Sequence, residues 1–71
     1  SLDAAIESLP PKCREVFKLS YLEDLSNREI SERLGISQST VENHIYSALK
    51  QLRQKLSKEQ LLLLLALLFM R

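Results

Sequence analysis

SNREISERLGISQSTVENHIYSALKQLR, residues 26–53, decides the fold. In its first ten residues Ser26 and Glu29 stand three apart in a capping-box pattern, Ile30 and Leu34 lie four apart on one helical face, and Gly35 suits the left-handed position that ends a helix. About eight residues between these signals are expected to be helical. The turn Gly35-Ile36-Ser37 is so short that the next helix must cross the first at a steep angle, with Ile36 in the corner and Ser37 as N-cap. A short capped helix, a Gly turn and a longer helix is the layout of a helix-turn-helix.

The longer helix is expected from Gln38 to about Leu56. At about 100° per residue with Val41 at zero, Ile45, Ala48, Leu49, Leu52 and Leu56 cluster between about −20° and +80° and form its core side. Ser39, Asn43, Tyr46 and Lys50 fall between about 140° and 200°, with Glu42 and Arg53 beside them near 100° to 120°. His44 and Thr40 lie on the flank; with no second His or neighbouring Cys to accompany it, His44 reads as a packing or phosphate-side residue and not a metal ligand.

That outward row has the chemistry a DNA major groove requires. Asn pairs with adenine N6/N7, Glu accepts from cytosine N4, and Thr or Tyr meets a thymine methyl or a phosphate. The more C-terminal Lys50 and Arg53 suit phosphates, which position a helix without reading sequence. Ser37, Gln38 and Ser39 are small or flexible enough to let the helix N-terminus approach closely, where its free N–H groups meet a phosphate oxygen. An ordinary solvated helix of this length would carry several Glu–Lys pairs four apart, whereas Glu42 has no basic partner at position 46.

Working outward, Leu2, Ile6 and Leu9 share one side of a short helix closed by Pro10. A second helix starts at the Pro10-Pro11 pair and runs to about Leu22, with Cys13, Val16, Phe17, Ser20 and Tyr21 facing the core. Ser57 and Gln60 repeat the capping pattern, which places a break there and a last helix over Lys58 to Met70. With 71 residues, one Gly, two Pro and no hairpin signal, the chain is expected to be all-α: a small helix-turn-helix bundle of four to five helices. We divide it into residues 1–57, the helix-turn-helix domain, and 58–71, an apolar C-terminal helix for docking or oligomerisation.

The net charge of +1 hides an asymmetry, since residues 1–25 sum to −2 and residues 26–58 to +3. The basic part coincides with the polar-faced helix. The single Cys13 forms no internal disulfide and sits among apolar positions, in keeping with a reducing, cytoplasmic compartment. With one His, one Cys, no Gly-rich phosphate loop and no evident carboxylate pair, the inventory opposes an enzyme, and neither cofactor nor metal is expected. The chain starts at Ser1 without Met or a signal peptide and reads as a piece of something longer.

About residues 2–56 resemble region 4 of bacterial sigma-70-type factors, above all the extracytoplasmic-function group. The resemblance rests on Leu9-Pro10, Arg14-Glu15-Val16-Phe17, Leu19, Leu25-Ser26, Glu29-Ile30, Leu34-Gly35-Ile36-Ser37, Thr40-Val41, Ala48-Leu49 and Leu52-Arg53. It implies a domain that holds the promoter −35 element with its second helix-turn-helix helix while another surface docks on the β flap of the RNA polymerase core. Combined with the reading of the outward row, the DNA-facing candidates are Arg28, Gln38, Ser39, Thr40, Glu42, Asn43, Tyr46, Lys50 and Arg53. Many members of the family carry Arg or Lys where this chain has Glu42, Asn43 and Ser47, so the detached domain is expected to bind DNA poorly and to depend on its polymerase. The stretch is also similar to the LuxR-type response-regulator domain through Arg28, Glu29, Ile30, Gly35, Thr40, Val41 and His44; against that alternative stand the Leu-Pro start and the Ala48-to-Arg53 ending.

The run LLLLLALLFM, residues 61–70, covers about half the roughly 20 residues a membrane-spanning helix needs. A helix apolar all round leaves a sticky face in water. Leu61, Leu62, Leu64, Leu65, Leu68 and Phe69 are therefore the expected partner-binding residues, meeting an anti-sigma factor or the polymerase, or another copy in an isolated fragment. A helical module given purely to protein interaction is the remaining alternative.

Overall fold

The computed structural model describes residues 1–69. Five α-helices are present among them: α1 (Leu2–Glu7), α2 (Pro11–Tyr21), α3 (Asn27–Leu34), α4 (Gln38–Lys55) and α5 (Lys58–Phe69). There is no strand among the described residues, and the expected all-α bundle is the observed one.

Each boundary follows from local chemistry. Pro11 occupies the first position of α2, where its missing N–H costs nothing. Ser26 and Glu29 make both capping-box bonds: Glu29 N–H donates to Ser26 Oγ at 3.1 Å and Ser26 N–H donates to Glu29 Oε1 at 2.9 Å. Gly35 ends α3 with φ 68°, and Ser37 caps α4 by accepting from the Thr40 N–H at 3.0 Å. Ser57 and Gln60 form a second reciprocal box, at 3.0 and 3.1 Å, so α5 is a separate helix and not an extension of α4. The expected end of α5 at Met70 lies outside the described residues.

Helix α4 is the common wall, packed against each of the other four helices. One core cluster holds Val16, Ile30 and Val41, with Leu34, Ile36 and Ile45 around it, and joins α3 to α2 and α4. The other holds Ile6, Leu9, Cys13, Phe17, Ala48, Leu52 and Leu64, and joins α1 and α5 to the same two helices. Polar contacts tie α1 into place alongside the Glu7–Lys18 ion pair. Arg14 Nη1 donates to the Glu7 carbonyl at 3.0 Å, meeting the negative end of α1, and Lys55 Nζ donates to Ser8 Oγ at 2.6 Å from the far end of α4.

One expectation requires correction. Leu64, assigned from sequence to the partner surface, is 1% exposed and completes the core over Phe17 and Leu52. A helix folded back on a bundle must turn one row inward, and Leu64 is in that row. Leu68 also packs partly against this core. The side of α5 that stays in water instead includes Leu63 and Leu67, 68% and 61% exposed, with Leu62 and Phe69.

Candidate nucleic-acid interface

The candidate row is built by the start and outer side of α4. Ser37 has extended backbone angles and lets α4 begin abruptly after the Gly35 turn, so the free N–H groups of the first turn emerge on the surface. Gln38, Ser39, Glu42, Asn43, Lys50 and Arg53 are exposed, and Tyr46 is 67% exposed. Thr40 is half-buried, its Oγ1 2.8 Å from Ser37 Oγ, so its hydroxyl is already engaged in the cap. Arg28, on the first turn of α3, is exposed and reaches Glu32 at 3.7 Å, a loose surface pair that leaves the guanidinium available.

Two features of the site were not expected from sequence. Lys50 Nζ lies 5.9 Å from the centroid of the Tyr46 ring, a cation–π contact one helical turn long. It steadies two long side chains on a wet surface. The second half of the row also borders α5: Tyr46, Leu49, Lys50 and Arg53 line an open groove of about 430 Å³ with Leu61 and Leu65. Periodicity within α4 carries no information about where a later helix folds back, so no signal in the row announced this groove.

His44 turns away from the row. Its ring is half-buried, with Nδ1 3.6 Å from the Sγ of Cys13 on α2. Its position answers to packing between helices. The Glu29 carboxyl is held below its ordinary value by hydrogen bonds from Ser26, and that of Glu7 by its hydrogen bond and ion pair with Lys18. No helix among the described residues is long and apolar enough to cross a membrane.

Comparison with known proteins agrees with this architecture. The family described as "Sigma-70, region 4" matches residues 1–52. The RNA polymerase sigma factor SigV of Bacillus subtilis is 38% identical over 60 residues, covering 84% of this chain and 36% of that protein. The ECF RNA polymerase sigma factor SigE of Mycolicibacterium smegmatis is 42% identical over 57 residues, 80% of this chain and 22% of its own length. The ferric citrate uptake sigma factor FecI of Escherichia coli is 39% identical over 49 residues, 69% of this chain and 28% of that protein. The chain thus spans about a third or less of the curated relatives it matches, and no solved structure matches it. A family match over residues 1–52, which hold the short capped helix, the left-handed Gly turn and most of the long helix with its wet polar row, places this chain in the sigma-70 region 4 family.

Proposed function

We propose that this chain is the promoter-binding piece of a sigma factor, with α4 entering the major groove of the −35 element and directing RNA polymerase to initiate there. The observation that carries the proposal is the exposed row Ser39, Asn43 and Tyr46 beginning at an open helix N-terminus, within a chain that belongs to this family. Asn43, Glu42 and Ser39 would meet base edges, and Thr40, whose hydroxyl already caps the helix, would offer its methyl. Gln38, Arg28, Lys50 and Arg53 would meet phosphates, and Tyr46 the sugar-phosphate edge or a thymine methyl. The piece itself is non-catalytic and works in the cytoplasm, where the polymerase is.

The family match and the relatives favour this reading over the LuxR-type alternative. Within it, the polymerase β flap and an anti-sigma factor are the proposed protein partners. The ridge Leu62, Leu63, Leu67 and Phe69 supports a docking role for residues 58–71, or self-association when no partner is present. The test is a promoter footprint by polymerase carrying the intact parent protein. Asn43→Ala should weaken −35 protection about fivefold or more, about 1 kcal/mol being the lower end of the range for losing one bidentate base contact. Protection unchanged in both Asn43→Ala and Tyr46→Ala would leave only the protein-interaction reading.

A further inference from the structure

We propose that the groove between α4 and α5 receives an acidic amphipathic helix of a protein partner, and that this helix and promoter DNA compete for Tyr46, Lys50 and Arg53. The competition rests on the DNA reading above; the docking does not.

The groove has an apolar floor and a cationic edge. Leu49 from α4 and Leu61 and Leu65 from α5, all half-buried, supply its apolar lining, and the Tyr46 ring, Lys50 and Arg53 complete it. Neither cation has an ion-pair partner among the described residues. Lys58, outside the lining itself, shares one face of α5 with Leu61 and Leu65 by helical spacing. Among the described residues, no acidic residue lines the groove. The neighbouring acids lie off it: Glu42 stands one turn before Tyr46 on α4, and Glu59 is turned about 100° from Lys58 on α5.

This chemistry selects the occupant. Two helices flank the groove and no sheet edge is present among the described residues, so a third helix laid along it is the fitting mode. Apolar residues at i, i+3, i+4 and i+7 would meet the three leucines, and flanking carboxylates would meet Lys50, Arg53 and Lys58. A second copy fits less well, since the wet ridge of α5 has no carboxylate along Leu62–Phe69 to offer those cations. Partner carboxylates and DNA phosphates are both anions directed at the same cations, and a helix seated beside Tyr46 would occupy the space of the duplex backbone. Occupancy of the groove therefore silences the C-terminal half of the reading row.

The experiment is fluorescence anisotropy with the 71-residue chain at low salt. The probe is a labelled peptide of about 15 residues, roughly four helical turns, with Leu at i, i+3, i+4 and i+7 and Glu on both flanks. A second probe replaces each Glu with Lys. We expect the acidic probe to bind at least tenfold more tightly than the basic one, and an unlabelled −35 duplex, added in large excess to offset the weak duplex affinity of the detached domain, to displace it. Leu61→Gln combined with Leu65→Gln should weaken the peptide at least tenfold and leave duplex affinity within twofold. Arg53→Glu, at an exposed position that does not endanger folding, should weaken the peptide equally. Equal binding of the two probes, peptide affinity unmoved by Arg53→Glu, or self-association of the chain in place of peptide binding would overturn the docking proposal. Peptide and duplex bound together would overturn the competition. If Asn43→Ala and Tyr46→Ala both leave duplex binding untouched, the DNA reading fails instead, and the peptide arms still decide the groove.

Discussion

Cys13 Sγ on α2 and His44 Nδ1 on α4, 31 positions apart in the chain, meet at 3.6 Å and close the seam between the two main helices. The contact puts the imidazole on the inner flank of α4, away from the row that includes Ser39 and Asn43. His44→Ala should therefore lower stability by about 1 kcal/mol with little effect on DNA affinity. It should also speed reaction of the Cys13 thiol with a chromogenic disulfide reagent, because the ring shields it. A drop in DNA affinity without a drop in melting temperature would reassign His44 to the interface.

Phe17 is fully buried, stacks on Tyr21 at 5.9 Å between centroids, and is part of the cluster shared by α1, α4 and α5. Phe17→Ala should cost about 3–5 kcal/mol. For a chain this short, that is most of the available stability. Circular dichroism should find the variant largely unfolded near 37 °C, whereas Leu63→Ala on the wet side of α5 should melt like the parent.

Gly35 has φ 68°, and nothing lies within 4 Å of where a Cβ would be. The cost of Gly35→Ala is then purely conformational, about 1 kcal/mol, and Gly35→Asn should cost less. A urea titration of both variants separates this account from a steric one, which would penalise the larger Asn more.

The carboxyls of Glu29 and Glu7 are held below their ordinary values, Glu29 by Ser26 and Glu7 by Lys18. A depressed carboxyl contributes stability that is complete above its unfolded pKa, about 4.3, and is lost as pH falls through the folded value. The urea midpoint should hold steady from neutral pH to about 5 and decline below about 4. Replacing both residues with Gln should flatten that decline; an unchanged acid slope would show that neither carboxyl is linked to folding.

Most of the architecture could be read directly from the chain because its boundaries are chemical. Ser26 with Glu29, Gly35, Ser37, and Ser57 with Gln60 each announce a helix end, and the polar row on α4 stands out from its apolar side. The α2–α3 turn was less legible: Asp24 takes φ 57° there, a conformation Asp tolerates, with no Gly to signal it. The orientation of α5 was not legible at all. A run of leucines contains no polar residue to mark the wet side, so the burial of Leu64 and the exposure of Leu63 and Leu67 depend on the α2 and α4 surfaces they meet. The same blindness hid the groove beside Tyr46 and Arg53, which exists only once α5 folds back.

Leu64→Ala should cost about 2–5 kcal/mol, whereas Leu63→Glu with Leu67→Glu should leave the fold intact and remove any concentration-dependent increase in light scattering. Loss of folding in the double variant would mean that these two leucines are structural.

Helix α4 is gripped along its inner face by two separate clusters, Val41 belonging to one and Ala48 and Leu52 to the other. So held, it behaves as a straight ruler with a fixed span. From Ser39 to Arg53 that span is about 21 Å, the axial length of about six base pairs at 3.4 Å each. A single copy of this helix therefore has an upper limit to the length of duplex it can measure, whatever bases it prefers.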